Sequence, residues 1–169
     1  MSKFSGNITV KKLAALGLVA ALYAALTVGL SFMSYMGVQF RVAEALMLLC
    51  FYRREYVLSM TVGCFLANLF SPMALDMVFG TAATLIAALL MTAVKNRIAA
   101  SLLPMLVNAL VVGFELWYFV GLPLWLSCGQ VALGEFVCVS ILGTVLFRTL
   151  EKKPAVMRML CFGEEHWAK

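Results

Sequence analysis

Between Leu13 and Met36 the chain carries no charged side chain, and alanine and leucine are its commonest residues there. A backbone crossing hydrocarbon has to satisfy every N–H and C=O internally, and about 20 residues of helix cover the roughly 30 Å core. A run of this length therefore makes lipid the solvent of at least one helix. Most of the remaining chain shares that solvent: 64% of the 169 residues are hydrophobic, 12% are charged, and the mean hydropathy is +1.00. The alternating apolar and polar segments of a β-barrel do not appear. Lys3, Lys11 and Lys12 ahead of an apolar run imitate a secretory signal, but the run is long and more spans follow, which reads as a retained first helix.

The apolar runs are separated by Gly37 to Arg41, Arg53-Arg54-Glu55, Ser71-Pro72, Lys95-Asn96-Arg97 and Gly121-Leu122-Pro123. This spacing predicts an all-α membrane bundle in one domain over residues 1–169. Its six transmembrane helices fall at about 13–36, 38–52, 56–70, 75–94, 98–120 and 122–147, with a cytoplasmic tail at 148–169. The second helix is expected to begin a little before Val42. Six crossings put alternate gaps on the same side, and twelve of the thirteen basic residues then share one side with both termini, leaving Arg41 on the other. Basic residues concentrate on the cytoplasmic side, so both termini are expected there. A re-entrant hairpin of the short second and third runs is the alternative, and it would hold Arg53 and Arg54 within the membrane at considerable cost.

The net charge of +5 follows from that topology rather than from a nucleic-acid surface, since the basic residues sit in gaps between spans and no amphipathic basic helix carries them. Cys50, Cys64, Cys128, Cys138 and Cys161 form no C-x-x-C pair, and no disulfide, metal site or cofactor is expected. The single histidine, His166, lies in the tail, and Asp76 is the single aspartate. That removes a buried Ser-His pair and an aspartyl dyad, so the chain does not read as an enzyme. It has no G-x-x-x-x-G-K-[ST] loop either, and ATP-driven work would need a partner.

Charged side chains inside a span are costly and face a partner or a water-filled cavity. Here they gather in the outer half: Glu44, Asp76, Glu115 and Glu135, with Gln39, Asn68, Asn108 and Gln130 at similar depth and little beyond Thr61 and Thr92 on the cytoplasmic side. The asymmetry describes a binding pocket open to the outside. Asn108, Glu115 and Tyr118 read as one helix face, and Asp76, Gly80 and Thr84 as another. Glu44 and Arg41, three residues apart, either pair at a helix start or both serve the site, and Asp76 either caps its helix or binds. Trp117 and Trp125 bracket the outer turn as an interfacial belt or as a stacking platform for a planar ligand. On the first span, Ala20 with Ala24 and Ala21 with Ala25 form small-residue ridges that suit either a docking partner or packing inside the bundle.

Three stretches carry a resemblance: Val38-Gln39-Phe40-Arg41-Val42-Ala43-Glu44-Ala45-Leu46, Gly63 to Leu69, and Asp76 to Leu85. Together they resemble the QueT family of queuosine-precursor transporters, over roughly Lys11 to Leu150. The resemblance implies the substrate-binding S component of an energy-coupling factor (ECF) importer in a bacterial plasma membrane, partnered by a T component and two ATPase subunits. It also implies a 7-deazaguanine substrate, such as 7-aminomethyl-7-deazaguanine or queuine. Gln39, Arg41, Glu44, Asn68, Asp76, Asn108, Glu115, Tyr118, Trp125 and Glu135 are the candidate binding residues, and the alanine ridge is the candidate docking surface. A self-sufficient secondary transporter of a small cationic or nucleobase-like solute is the alternative, as is a non-transporting receptor. The first is disfavoured because no inverted repeat and no cytoplasmic polar path appear.

Overall fold

The computed structural model describes residues 9–34 and 38–163, and these form helices and connecting turns, with no strand among the described residues. Lys3, Met36, Gly37, His166 and Lys169 lie outside the described residues. Four helices are long and apolar enough to cross a membrane, over Val10–Gly29, Ala74–Ala93, Arg97–Val120 and Leu124–Glu151, while Val42–Tyr52 and Tyr56–Asn68 are apolar but shorter.

Helix α1, Val10–Gly29, starts three residues earlier than the sequence suggests, which brings Lys11 and Lys12 into its first turn. Their long stems can lie along the apolar surface while the ammonium groups reach its edge. The expected unbroken span to Met36 is corrected, because α1 stops at Gly29 and a separate short helix α2, Ser31–Ser34, follows. Glycine weakens the helix at that point, and the hydroxyls of Thr27 and Ser34 bond back to the carbonyls of Tyr23 and Leu30 at 2.9 and 3.0 Å, a pattern that bends helices.

The second run departs further from expectation. Residues 38–41 are not helical; a 3-10 helix begins only at Val42 and runs to Leu48, and α3, Leu49–Tyr52, completes it. Before Val42 the amides of Phe40, Arg41 and Val42 bond to the carbonyls two residues back, in tight turns rather than a helix, and this backbone packs against Gly134, where an added Cβ would stand 2.3 Å from the Gln39 carbonyl oxygen. Reach matters here. A 3-10 turn rises about 2.0 Å per residue and an α turn about 1.5 Å, so Val42–Tyr52 covers about 20 Å, and the non-helical residues before it, tied by successive amide hydrogen bonds to the carbonyl two residues back, add to that. The whole run thus approaches the thickness of a hydrocarbon core, and its irregular part is tolerable because Gln39 and Arg41 are buried in protein.

Helix α4, Tyr56–Asn68, packs on α1 through Gly63, where a Cβ would meet the Ala20 carbonyl oxygen at 2.8 Å. A 3-10 turn, Ala74–Met77, leads into α5, Phe79–Ala93, and α6 follows at Arg97–Val120 with Asn96 accepting from the Ile98 and Ala99 amides. Gly121, at φ 77°, closes α6 in the left-handed conformation that glycine adopts without penalty, and α7, Leu124–Glu135, returns beside α6. Close approach there depends on Gly113, since a Cβ would come within 2.5 Å of the Cys128 sulfur. After Glu135 the helix widens into a π-helix, Phe136–Gly143, before resuming as α8, Thr144–Glu151. Tyr23, Met47, Leu48, Met60, Met91 and Phe147 are among the residues that fill the core between these elements.

The span expected at 122–147 therefore runs on to Glu151, and Arg148 lies within a helix rather than opening a polar tail. A further helix, α9, Pro154–Leu160, folds back: Met157 and Cys161 are buried, the Tyr56 hydroxyl donates to the Leu160 carbonyl at 2.9 Å, and Phe162 stacks on Tyr56. At this end of the bundle Lys12 and Arg53 converge on Glu55 at 2.6 and 2.7 Å, and Arg97 meets Glu151 at 2.6 Å.

Candidate substrate-binding site

The starts of α1, α4 and α6 meet at that basic end, and the later turns of α4 and α6 carry Asn68, Asn108 and Glu115 toward the opposite half. Glu44 lies in the 3-10 helix after Arg41 and is fully buried. One of its oxygens accepts from the hydroxyl of Tyr23 on α1, itself fully buried. Asp76, in the turn before α5, accepts from Ser71 Oγ at 2.5 Å and lies 3.6 Å from the Arg41 guanidinium. Asn68 closes α4 by donating through Nδ2 to the Asp76 carbonyl at 2.8 Å, and a Cβ on Gly80 would crowd that amide at 3.0 Å. Across the bundle, Asn108 on α6 donates to Glu135 on α7 at 2.6 Å. Glu115, two turns beyond Asn108, is fully buried. Arg41 is itself buried where it pairs with Asp76.

What distinguishes the group is its unused hydrogen-bonding capacity. Seven buried oxygens find no donor among the described residues: Glu44 Oε2, Asn68 Oδ1, Asp76 Oδ1, Asn108 Oδ1, both oxygens of Glu115, and Glu135 Oε2. Native interiors leave few such atoms, and each costs on the order of 1–3 kcal/mol when buried without a partner. All seven are acceptors. A molecule completing these seven oxygens would have to bring N–H donors. No group of His, Cys, Asp or Glu suited to a metal ion occurs among the described residues, and Cys50, Cys64, Cys128 and Cys138 are free thiols.

The structure thus buries Gln39, Arg41, Glu44, Asn68, Asp76, Asn108, Glu115 and Glu135, with none more than 9% exposed. Rather than lining an open mouth as the sequence suggests, they are enclosed by the surrounding helices. Asp76 does not cap its helix through its side chain; it pairs with Ser71 and Arg41 instead. Tyr118 and Trp125 do not join the group. Tyr118 is 64% exposed and stacks on Phe114, and Trp125 is 86% exposed at the start of α7. At about 100° per residue, Tyr118 lies about 60° off the direction of Glu115, and the face drawn through Asn108, Glu115 and Tyr118 was too wide. Trp117 also lies in an exposed aromatic cluster with Phe114 and Tyr118, as an interfacial belt would.

The alanine ridge divides. Ala20 is buried against α4, and Ala24 is partly buried and packs on the core. Ala21 and Ala25 are exposed on the other side of α1. Tyr23 and Ser71 were missed from sequence. A tyrosine inside a charge-free run carries one usable signal, because a buried hydroxyl needs a partner.

With this geometry in view, the relatives of the chain are informative. The family described as QueT transporter matches residues 13–152. A relative from Lactococcus lactis subsp. cremoris (strain MG1363), named queuosine precursor transporter QueT, is 29% identical over 159 residues, covering 85% of this chain and 94% of the relative. No solved structure matches. The long apolar helices and the family agree on a multi-pass membrane transporter rather than an enzyme. Since the match spans nearly all of the membrane-embedded helices, the chain belongs to the QueT transporter family.

Proposed function

We propose that the chain is the substrate-binding membrane subunit of an ECF-type importer and that it captures a queuosine precursor of the 7-deazaguanine class from outside the cell. The observation that carries this reading is the set of seven buried acceptor oxygens that no donor reaches among the described residues. A 7-deazaguanine presents a ring N–H beside an exocyclic amino group, and 7-aminomethyl-7-deazaguanine adds a cationic amine. Such a ligand supplies the donors that the site lacks, and the name of the Lactococcus relative points to the same class of solute. The bacterial plasma membrane and a T component with two ATPase subunits follow from the ECF assignment. The missing nucleotide-binding loop and the exposed Ala21 and Ala25 on α1 support it.

In this reading six segments cross the membrane with both termini inside. The convergence of Lys12, Arg53 and Arg97 at one end supports that topology, as does the combined reach of residues 38–52. Single cysteines at Ser71 and Gly121 of a cysteine-free version should react with impermeant thiol reagents in intact cells, and one at Asn96 should not. Uptake of labelled 7-aminomethyl-7-deazaguanine decides the mode of transport. Cells expressing the chain together with a T component and its ATPase pair should accumulate the label, and cells lacking those partners should not. Accumulation without them would establish a self-sufficient secondary transporter instead.

A further inference from the structure

The four buried carboxylates are not equivalent. Glu44 has one oxygen occupied by the Tyr23 hydroxyl, Asp76 has one occupied by Ser71 and Arg41, and Glu135 has one occupied by Asn108. Each of these three offers a single oxygen to anything else. Glu115 alone among them has both oxygens without a partner among the described residues, and its side chain is fully buried. It sits on α6 two turns beyond Asn108, both on the buried side of that helix, so it points into the bundle and not to the lipid. A carboxylate with two available oxygens accepts a pair of parallel N–H donors, a geometry that one oxygen cannot reproduce.

We infer that Glu115 is the specificity-determining residue of the site: it accepts the adjacent ring N–H and exocyclic NH₂ of a guanine-type edge, while Glu44, Asp76 and Glu135 each take one isolated donor. This division of labour rests on the proposed 7-deazaguanine reading and makes it more specific. A base lacking the exocyclic amine would leave one Glu115 oxygen buried and unpaired, and sites built on such contacts reject the deleted analogue strongly. The three half-occupied acids make no such demand. They are satisfied by an amine or any single N–H.

The test is a titration of the purified full chain with 7-deazaguanine and with its 2-desamino analogue, 7-deazahypoxanthine. Wild type should bind the first at least about 30-fold more tightly, the ratio expected for one charge-assisted hydrogen bond. In Glu115→Gln, which brings its own NH₂ against the ligand's donors, the two affinities should fall to within about threefold of each other. In Glu135→Gln both should weaken while the ratio between them persists. Should Glu115→Gln fail to yield monodisperse protein, the wild type decides alone with N1-methyl-7-deazaguanine, which removes the other donor of the pair and should lose at least as much affinity as the desamino base. Discrimination that survives in Glu115→Gln, or wild type that binds an edge-deleted analogue as well as the parent, overturns the assignment and leaves the transport reading standing. Wild type that binds no deazaguanine overturns both.

Discussion

Lys12, Arg53 and Glu55 at one end of the bundle, with Arg97, Tyr52 and Glu151 beside them, make hydrogen bonds of 2.6–3.4 Å with one another. In the opposite half, Glu44, Asp76, Glu115 and Glu135 are more deeply buried yet keep oxygens that no described donor reaches. Burial raises the cost of an unpaired charge, so a fold selected for stability alone would have arranged these two regions the other way round. The paired, partly exposed charges at the basic end are structural: they tie the start of α1 to the turn before α4 and the start of α6 to the end of α8. Unpaired acceptors in the interior are explained by a ligand that completes them.

Three substitutions probe that contrast, in decreasing order of effect. Gly134→Ala forces a methyl group to within 2.3 Å of the Gln39 carbonyl, where backbone and not a flexible side chain must yield. It should displace the non-helical residues 38–41 and lower thermal stability by about 3 kcal/mol, with ligand binding lost as well. A melting temperature equal to wild type would show that residues 38–41 do not hold the position described. Tyr23→Phe removes the donor to Glu44 while keeping the ring in the core. Leaving another buried carboxylate oxygen without a partner should cost about 1–3 kcal/mol, and circular-dichroism melts with and without ligand should show the smaller loss when ligand is present.

The smallest effect belongs to the basic end. Glu55→Gln removes one partner of Lys12 and Arg53 at a site about 30% exposed, and should change stability by about 0–1 kcal/mol without altering binding. Its pH behaviour has a definite sign. Partial burial alone would raise the Glu55 carboxyl, but the hydrogen bonds from Arg53 and Lys12 outweigh that and hold it at about 2 against an ordinary 4.5. A depressed folded-state value means that the Glu55 contribution is fully present above about 4.5 and is lost as pH falls toward about 2. Wild type and Glu55→Gln should therefore differ most at neutral pH and converge in acid melts.

Much of the buried polar group was legible in the sequence, for a physical reason. A carboxylate in an apolar run is too costly to be incidental, and Glu44, Asp76, Glu115 and Glu135 are all buried, whereas the uncharged Gln130 is only partly buried. Amphipathic residues gave no comparable signal. Tyr118 and Trp125 are satisfied equally by an interface or by a site, and the structure puts them at the exposed surface. Small residues were ambiguous in the same way, since Ala20 and Ala21 differ only in which side of α1 they occupy. The 3-10 helix at Val42–Leu48 and the π-helix at Phe136–Gly143 were hidden because both arise from how segments pack around Gly134 and Gly143. At Gly143 an added Cβ would meet Leu48 at 3.1 Å and the Ala45 carbonyl oxygen at 3.2 Å, a constraint that hydropathy does not record.

The most direct test sets the two ends against each other in one titration. Purified wild type, Glu135→Gln and Glu151→Gln are titrated with 7-aminomethyl-7-deazaguanine by calorimetry, each variant checked for monodispersity. Glu135 presents its free oxygen in the buried group, whereas Glu151 is already paired with Arg97 and Tyr52 at the basic end. Wild type should bind one equivalent. Glu135→Gln should lose on the order of 2–5 kcal/mol, roughly 30- to 5,000-fold in affinity, and Glu151→Gln should bind within about threefold of wild type. No binding by wild type, or equal losses in the two variants, would contradict the claim that the unsatisfied acceptors form the ligand site.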